Sequence, residues 1–342
     1  MHILLTGGAG FIGQHVLDIL LAGGHEVRVL DSLRADVHRG EDWAPPSDVE
    51  FRRGDVRDAH VVDKALEGID GVIHLAAKVG LGVDVNDFPD YASSNEVGTA
   101  VLLAAMARAK VLRLTLASSM VVYGEGVGVC PEHGQVTPAP REESALVAGE
   151  FEPPCPHCGR RLDTSLVSET TQLDPRNAYA SSKVSQEFYA SNWARTTGGS
   201  VVALRYHNVY GPGMPRDTPY AGVASIFTSA LRNGKPPQVF EDGQQRRDFV
   251  HVRDIASATV LVTEADIQGV RAYNVGSGIP RTVGDMAWSL SRSLEGPAPI
   301  VTGRYRLGDV RHITADSSKL RNDFGWRPSV AFDDGMHELA NA

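Results

Sequence analysis

Cysteine is scarce in this chain of 342 residues: there are three, an odd number that does not make a disulfide framework. All three fall between residues 130 and 158, so their clustering needs its own explanation. No run of about eighteen apolar residues occurs, so no membrane-spanning helix is expected. Positive charge is also short, with 33 Lys and Arg against 42 Asp and Glu and a formal net charge of −9. That balance argues against a nucleic-acid-binding surface. The opening residues, MHILLTGGAGFIG, hold neither a basic n-region nor a cleavage site, so a cytoplasmic protein is expected. What is present, 42% hydrophobic and 22% charged residues, is the composition of a globular protein with a sizeable core.

HILLT (2–6) is a short apolar run that ends in glycines, and FIGQHVLDILLAGG then sets Ile12, Val16, Ile19 and Leu20 on one side of a helix. HEVRVLD (25–31) alternates as a strand does. A βαβ unit of about thirty residues predicts parallel strands joined by crossover helices. The pattern repeats with a strand at 49–55, a helix at 59–67, a strand at 71–77, a long helix at 91–109 and a strand at 112–119. Another strand, within 200–212, follows the helix that carries Tyr179. This alternation predicts a doubly wound α/β domain of Rossmann type over residues 1–212, interrupted by a Cys-rich insert over 125–170. Beyond residue 212 the pattern is less regular and richer in Pro and Gly, so 213–342 reads as a smaller, mixed substrate lobe whose segments interleave with the first.

TGGAGFIG spaces Gly7, Gly10 and Gly13 three apart, with Phe11 and Ile12 between the last two, after a strand and at the start of a helix. Glycines there allow a tight turn and bring backbone close to a pyrophosphate seated on the helix N-terminus. Asp31 ends the second strand, eighteen residues after Gly13. A carboxylate at that point accepts hydrogen bonds from a ribose 2′-hydroxyl and repels a 2′-phosphate, which selects NAD. Arg28 and Arg34 nearby keep NADP as an alternative. Asp55 and Val56, in the GDV of 54–56, are expected at the adenine ring.

Tyr179 and Lys183 stand four apart in PRNAYASSKVSQE, on one face of a predicted helix. An ammonium beside a phenol favours the phenolate, which makes the tyrosine an acid/base. By itself the pair also describes a surface tyrosine packed on a lysine stem. With Gly7–Gly13, Asp55, HLAA (74–77), SSMVVYG (118–124) and YASSK (179–183) in order, the chain resembles the extended short-chain dehydrogenase/reductases, most closely nucleotide-sugar epimerases, dehydratases and reductases. The resemblance covers nearly the whole chain. It implies a catalytic group of Ser119, Tyr179 and Lys183 around the nicotinamide, with Tyr179 moving a proton at a sugar hydroxyl while hydride is exchanged. Lys183 then binds the nicotinamide ribose and lowers the Tyr179 pKa. It also implies that Leu75, Ala76, Ala77, Asn95 and Tyr206 touch the cofactor, and it implies a homodimer through helices 91–109 and 177–197, with Val101, Leu102 and Ala105 on the first.

After Ser119, the related dehydratases carry an Asp-Glu pair, because water elimination needs a further acid and base. Met120 and Val121 stand here instead, so dehydration is not expected. By the same resemblance, Asn208, Arg247 and Arg306 hold a substrate diphosphate, with Asp309 bracing the loop of Arg306. Val223, in TPYAGVASIF (218–227), lines the wall around the base, and His207 faces the sugar. Paired guanidiniums suit a diphosphate because each binds in a bidentate manner.

Between Gly124 and Tyr179 lie 54 residues, about twice what the family needs, and they contain CPEHG and CPHCG. Cys130, His133, Cys155 and Cys158 form the C-x₂-H…C-x₂-C pattern of zinc knuckles, with His157 as an alternative ligand and ordinary reduced thiols as the competing reading. Four protein ligands would make such a metal structural. This insert, with PYAGVASIF and FEDGQQRRDFVHV, resembles the dTDP-L-rhamnose 4-epimerase group. The leading expectation is an NAD-dependent 4-epimerase of a dTDP-6-deoxyhexose. The alternatives are a 4-ketoreductase of the corresponding dTDP-4-keto sugar and a non-catalytic NAD sensor.

Overall fold

Runs of Ile, Leu and Val too apolar for a surface make the centre of the molecule. Ile3, Leu4 and Leu5 of the first run are fully buried, as are Val72 and Ile73 of the fourth. Strands read this way when helices cover both faces of a parallel sheet. A computed structural model describes residues 1–38, 42–80, 84–215 and 222–342. Its main sheet has seven parallel strands in the order Val270–Val275, Ser200–Tyr206, Arg113–Ser119, Gly71–His74, His2–Thr6, Glu26–Asp31 and Glu50–Arg53. On one face Val62, Leu102, Leu103, Met106, Ala190 and Trp193 bury the helices Ala59–Ala65, Gly98–Ala109 and Ala178–Thr197. On the other, Val16, Leu17 and Leu20 of Phe11–Ala22 pack with Ala256 and Val260 of Val252–Glu264. The strand order reverses between His2–Thr6 and Gly71–His74, which opens a crevice beyond the strands' carboxyl ends.

The doubly wound sheet is as expected, but two elements differ in detail. The long helix of 91–109 has an α-helical start at Phe88–Tyr91, a π-helical stretch over Ala92–Val97, and regular α-helix over Gly98–Ala109. The single strand expected within 200–212 ends at Tyr206, and Asn208–Tyr210 pairs instead with Arg246–His251 in a second sheet. One residue, His207, therefore carries the chain from one sheet to the other.

Residues beyond 212 do not form a lobe apart. Val270–Val275 returns as the edge strand of the main sheet, and Val252–Glu264 packs on Phe11–Ala22. The second sheet, with helices Val223–Arg232, Val283–Ser293 and Phe332–Asn341, has its own core of Phe227, Leu231, Phe249, Met286, Leu290 and Met336. The insert is a three-stranded antiparallel patch, with Gly128–Cys130 between Gly134–Val136 and Asp163–Thr164. Its apolar core is Cys130, Val136, Cys155 and Leu162. No helix among the described residues is long and apolar enough to cross a membrane.

The first turn of Phe11–Ala22 touches the glycine loop backbone to backbone. A Cβ on Gly13 would lie 2.2 Å from the Gly7 carbonyl oxygen and 2.7 Å from Gly8 Cα, whereas one on Gly10 would meet nothing nearer than 3.3 Å. Gly13→Ala is therefore expected to lower the thermal midpoint by the equivalent of about 1–3 kcal/mol. Gly10→Ala should cost distinctly less. Equal melting of the two variants would contradict the contact.

Candidate active site

A cleft of about 410 Å³ follows the carboxyl ends of the main-sheet strands at the reversal point. Gly7, Gly10, Phe11, Ile12 and Gly13 line it from the glycine loop, Asp31 from the second strand, and Asp55 and Val56 from the turn after the third. Leu75, Ala76 and Ala77 form the next wall, and Tyr179, Lys183 and Tyr206 close the far end. Gly7 has φ +73°, and a Cβ on it would stand 2.6 Å from the Ala76 nitrogen. Such a cradle, which side chains would fill, suits the close approach of a dinucleotide pyrophosphate. Asp31 faces the cleft while its carboxylate accepts the N–H groups of Ala9 at 3.1 Å and Leu33 at 2.9 Å. The Arg34 guanidinium lines the same end, but Asp36 and Asp90 each hold it at 3.0 Å, so its charge is already matched. Arg57 donates to Asp55 and holds that carboxyl below its ordinary value.

Asn95 is the one expected cofactor residue set behind the cleft. It is fully buried in the π-helical turn, accepting from Lys78 N–H at 2.7 Å and donating to the Lys78 carbonyl and Ser182 Oγ. Its side chain clamps the cleft wall to the Tyr179 helix. Lys78 was not singled out from the sequence, yet it lines the cleft and its Nζ lies 2.7 Å from Asp90. Its position just after HLAA was the available signal.

The helix Ala178–Thr197 begins where the Asn177 side chain accepts from Ala180 N–H, which fixes the position of Tyr179 in the first turn. Ser119 is the last residue of its strand, and its hydroxyl lies close enough to the Tyr179 phenol to work against the rise in its pKa. Lys183 is buried, donates to the Ala117 carbonyl at 2.8 Å, and sits 5.9 Å from the centre of the Tyr179 ring. The three expected catalytic residues thus converge.

The electrostatics differ from the expectation that Lys183 lowers the Tyr179 pKa. Burial pushes the Tyr179 phenol up to about 12, with the Ser119 bond working against that rise. Burial also pulls the Lys183 ammonium down to about 7, opposed by Glu187. Desolvation penalises both charged forms and is the largest cause of each shift. Below Lys183, Glu187 accepts from Ser118 Oγ at 2.5 Å and from Arg205 at 2.7 and 3.0 Å, and Arg205 continues to the Tyr123 hydroxyl at 2.8 Å. The i, i+4 spacing of Lys183 and Glu187 was readable, but the partners of Glu187 come from distant strands.

The expected substrate residues lie beyond the cleft lining, on the second sheet and its loops. Val209, Met214, Pro215 and Gly222, neighbours of Asn208 and Val223, line the end of the cleft. Asn208 Oδ1 is buried without a hydrogen-bond partner among the described residues. Val223 opens a helix and is partly buried against the second core. Thr218–Ala221 of the expected wall lie outside the described residues. Arg247 is buried and donates to the Val310 carbonyl at 2.5 Å and the Arg311 carbonyl at 3.0 Å. Burial lowers its pKa, with Asp309, Glu125 and Glu241 opposing. Arg306 is exposed, and Asp309 donates its N–H to the Arg306 carbonyl at 3.2 Å. His207 is buried at the junction of the sheets, burial pushes its pKa down to about 3, and neither ring nitrogen has a hydrogen-bond partner among the described residues.

In the insert, the ligand atoms of Cys130, His133, Cys155 and Cys158 all lie within 4.8 Å of one another. Cys130 Sγ is 3.4 Å from His133 Nδ1 and 3.7 Å from Cys158 Sγ, and Cys155 Sγ is 3.8 Å from His133 Nδ1. A tetrahedral zinc with bonds of about 2.0–2.3 Å sets its donors at about these separations. His157 stands beside this group, its ring 5.1 Å from that of His133.

A family model for the NAD dependent epimerase/dehydratase family matches residues 3–276. The dTDP-L-rhamnose 4-epimerase of Burkholderia thailandensis is 33% identical, over 98% of this chain and 93% of that protein. The UDP-glucose 4-epimerase of Mycolicibacterium smegmatis is 31% identical, over 98% of this chain and 96% of its own length. Among solved structures, the UDP-glucose 4-epimerase of Thermus thermophilus, in complex with NAD, superposes with a TM-score of 0.80 at 30% identity, covering 100% of this chain and 98% of that one. With the glycine cradle at the strand reversal and Ser119, Tyr179 and Lys183 at its far end, the chain belongs to the NAD-dependent epimerase/dehydratase family, enzymes of the extended short-chain dehydrogenase/reductase type.

Proposed function

We propose that the protein is a 4-epimerase of a dTDP-6-deoxyhexose, using NAD held in the cleft. The observation that carries this reading is the meeting of Ser119, Tyr179 and Lys183 at the end of a dinucleotide cleft, with apolar Met120 and Val121 following Ser119. That set can move one proton at one sugar oxygen and has no second acid/base pair for dehydration. The dTDP-6-deoxy sugar is favoured by the Burkholderia relative, and UDP sugars are the comparison to make because UDP-glucose 4-epimerases are nearly as similar. Asp31, together with an Arg34 already matched by Asp36 and Asp90, favours NAD over NADP.

When bound, NAD would supply the hydride acceptor and donor, with Tyr179 and Lys183 lining its cleft. Tyr179 takes the proton of the sugar 4-hydroxyl as the 4-keto sugar forms and returns it after the sugar has turned over. Ser119 hydrogen-bonds the same oxygen as its charge changes. Lys183 anchors the nicotinamide ribose and adds positive charge below Tyr179. Asn208, Arg247 and Arg306 hold the diphosphate, and Val223 borders the base. Tyr179→Phe is expected to lower kcat by about 10²–10⁴-fold while NAD still co-purifies. A variant with near wild-type turnover would end this assignment.

The insert is proposed to hold one structural zinc on Cys130, His133, Cys155 and Cys158, since four protein ligands leave no open position for chemistry. Elemental analysis of active protein should find about one zinc per chain, falling sharply in Cys158→Ser. Active protein without zinc would make these residues ordinary thiols.

A homodimer is proposed through the helices of 91–109 and 177–197, but with different faces from those expected. Leu102 and Ala105 are fully buried in the chain's own core, so they cannot meet a partner. Val97 and Phe188 are the large apolar residues left half or more exposed on these helices, with Tyr189 close to half. Phe188→Asp should sediment as a monomer at micromolar concentration where the unmodified protein is a dimer. A monomeric unmodified protein would contradict the interface.

A further inference from the structure

We propose that the cysteine insert is a positioning element for the substrate loop 305–312, acting on Arg247 through a buried charge cluster centred on Arg311. The proposal rests on the nucleotide-sugar reading for the role of Arg247, and on the geometry alone for the loop. Arg311 has no exposed surface. Its guanidinium meets Glu152 at 2.6 Å, Glu241 at 2.8 Å and Asp242 at 2.8 Å, and lies 5.8 Å from the centre of the Phe151 ring. Phe151 and Glu152 belong to the insert, whereas Glu241 and Asp242 belong to the second lobe. Arg141, also buried and also from the insert, donates to Glu241 at 2.7 Å and to the Asp309 carbonyl at 2.6 Å. The neighbouring His312 meets Glu152 at 2.8 Å, and Glu125 accepts the Arg311 N–H at 3.1 Å.

Neither side of this cluster is electrostatically complete by itself. Without the insert, Arg311 loses one carboxylate and its aromatic cover, and the buried Glu241 loses one of its two guanidinium partners. Arg311 keeps Glu241 and Asp242, and Glu241 keeps Arg311, but each buried charge is then less fully compensated, which is costly and loosens the loop. Of the three carbonyls that accept from Arg247, those of Val310 and Arg311 lie in the same loop. The insert therefore reaches Arg247 in two steps, from Glu152 and Arg141 to the loop backbone, and from that backbone to the guanidinium.

The cysteine cluster governs whether the insert can do this. Its two halves, Cys130 with His133 and Cys155 with Cys158, bracket the segment that carries Arg141, Phe151 and Glu152, and Glu152 lies three residues before Cys155. The insert's apolar core is four residues, two of them cysteines of the cluster. The end of the insert is also tied down at Val167, which packs with Ile313 and exchanges backbone bonds with Thr314 and Asp316, but the cluster is what closes the segment that carries Arg141 and Glu152. Tyr179 and Lys183 take their places from the main sheet and the Asn177 cap, so they do not depend on it.

The test compares Arg141→Ala, Glu152→Gln and Cys158→Ser with the unmodified protein, each as full chain with its retained dinucleotide. Backbone hydrogen exchange is followed over 305–313, and dTDP and UDP are titrated as diphosphate probes. All three variants should exchange faster over 305–313 while the seven-stranded sheet stays protected. The dTDP affinity and the KM for nucleotide sugar should weaken by about tenfold, a common size for such coupling, with kcat within about twofold. Glu152→Gln and Arg141→Ala should show this with their metal content unchanged, which separates the charge cluster from loss of the insert fold. Faster exchange confined to 125–170, with 305–313 protected as in the unmodified protein, would overturn the proposal. If the unmodified protein binds neither dTDP nor UDP, the substrate reading fails, and the exchange over 305–313 alone then supports or overturns the positioning of the loop.

Discussion

A buried lysine is the constraint around which the catalytic end of this protein is organised. Lys183 is nearly without exposed surface; burial pulls its ammonium down to about 7, and the nearby Glu187 opposes that fall while the Ala117 carbonyl accepts its N–H. The carbonyl is available because Ala117 lies in a central strand near its carboxyl end, where the sheet opens into the cleft. Glu187 is available because it follows Lys183 by one helical turn, and it is itself fixed by Ser118 and Arg205. One turn the other way, the same helix carries Tyr179. Strand, helix and lysine therefore fix one another, and the phenol is presented to the cleft as a consequence.

The glycine loop is a constraint of a different kind, one of space. Gly7 and Gly13 leave no room for a Cβ, because loop, helix and the wall at Ala76 touch backbone to backbone. Asp31 secures that loop through Ala9 and faces the cleft as well. Arg34 sits close by but spends its charge on Asp36 and Asp90.

Much of this was legible in the sequence where the signal is local. The strand, glycine turn and helix of residues 2–22 announce themselves through apolar runs and spacing, while Tyr179 and Lys183 stand out only with the ordered motifs around them. What was not legible depends on contacts between distant segments. Asn95 reads as a cofactor residue by its place in the family pattern, yet a π-helical turn directs it to Lys78 and Ser182. Leu102 and Ala105 sit on a helix expected at an interface, but nothing in their spacing says which face the sheet claims. Arg247 and Arg311 are two arginines in polar segments, and only the tertiary fold reveals that both are buried. Helical spacing likewise gives the proximity of Lys183 to Tyr179 but not the burial that raises the phenol's pKa.

The central claim is that one tyrosine and a retained dinucleotide invert a single sugar carbon. The most direct measurement is turnover of dTDP-L-rhamnose carrying deuterium at C4, in ordinary water with no added dinucleotide, with the 4-epimer recovered and weighed. The account predicts that the 4-epimer forms and keeps its deuterium, because the same hydride leaves and returns within the closed cleft. Formation of epimer with hydrogen at C4, or no epimer from either this sugar or a UDP-hexose, would contradict it.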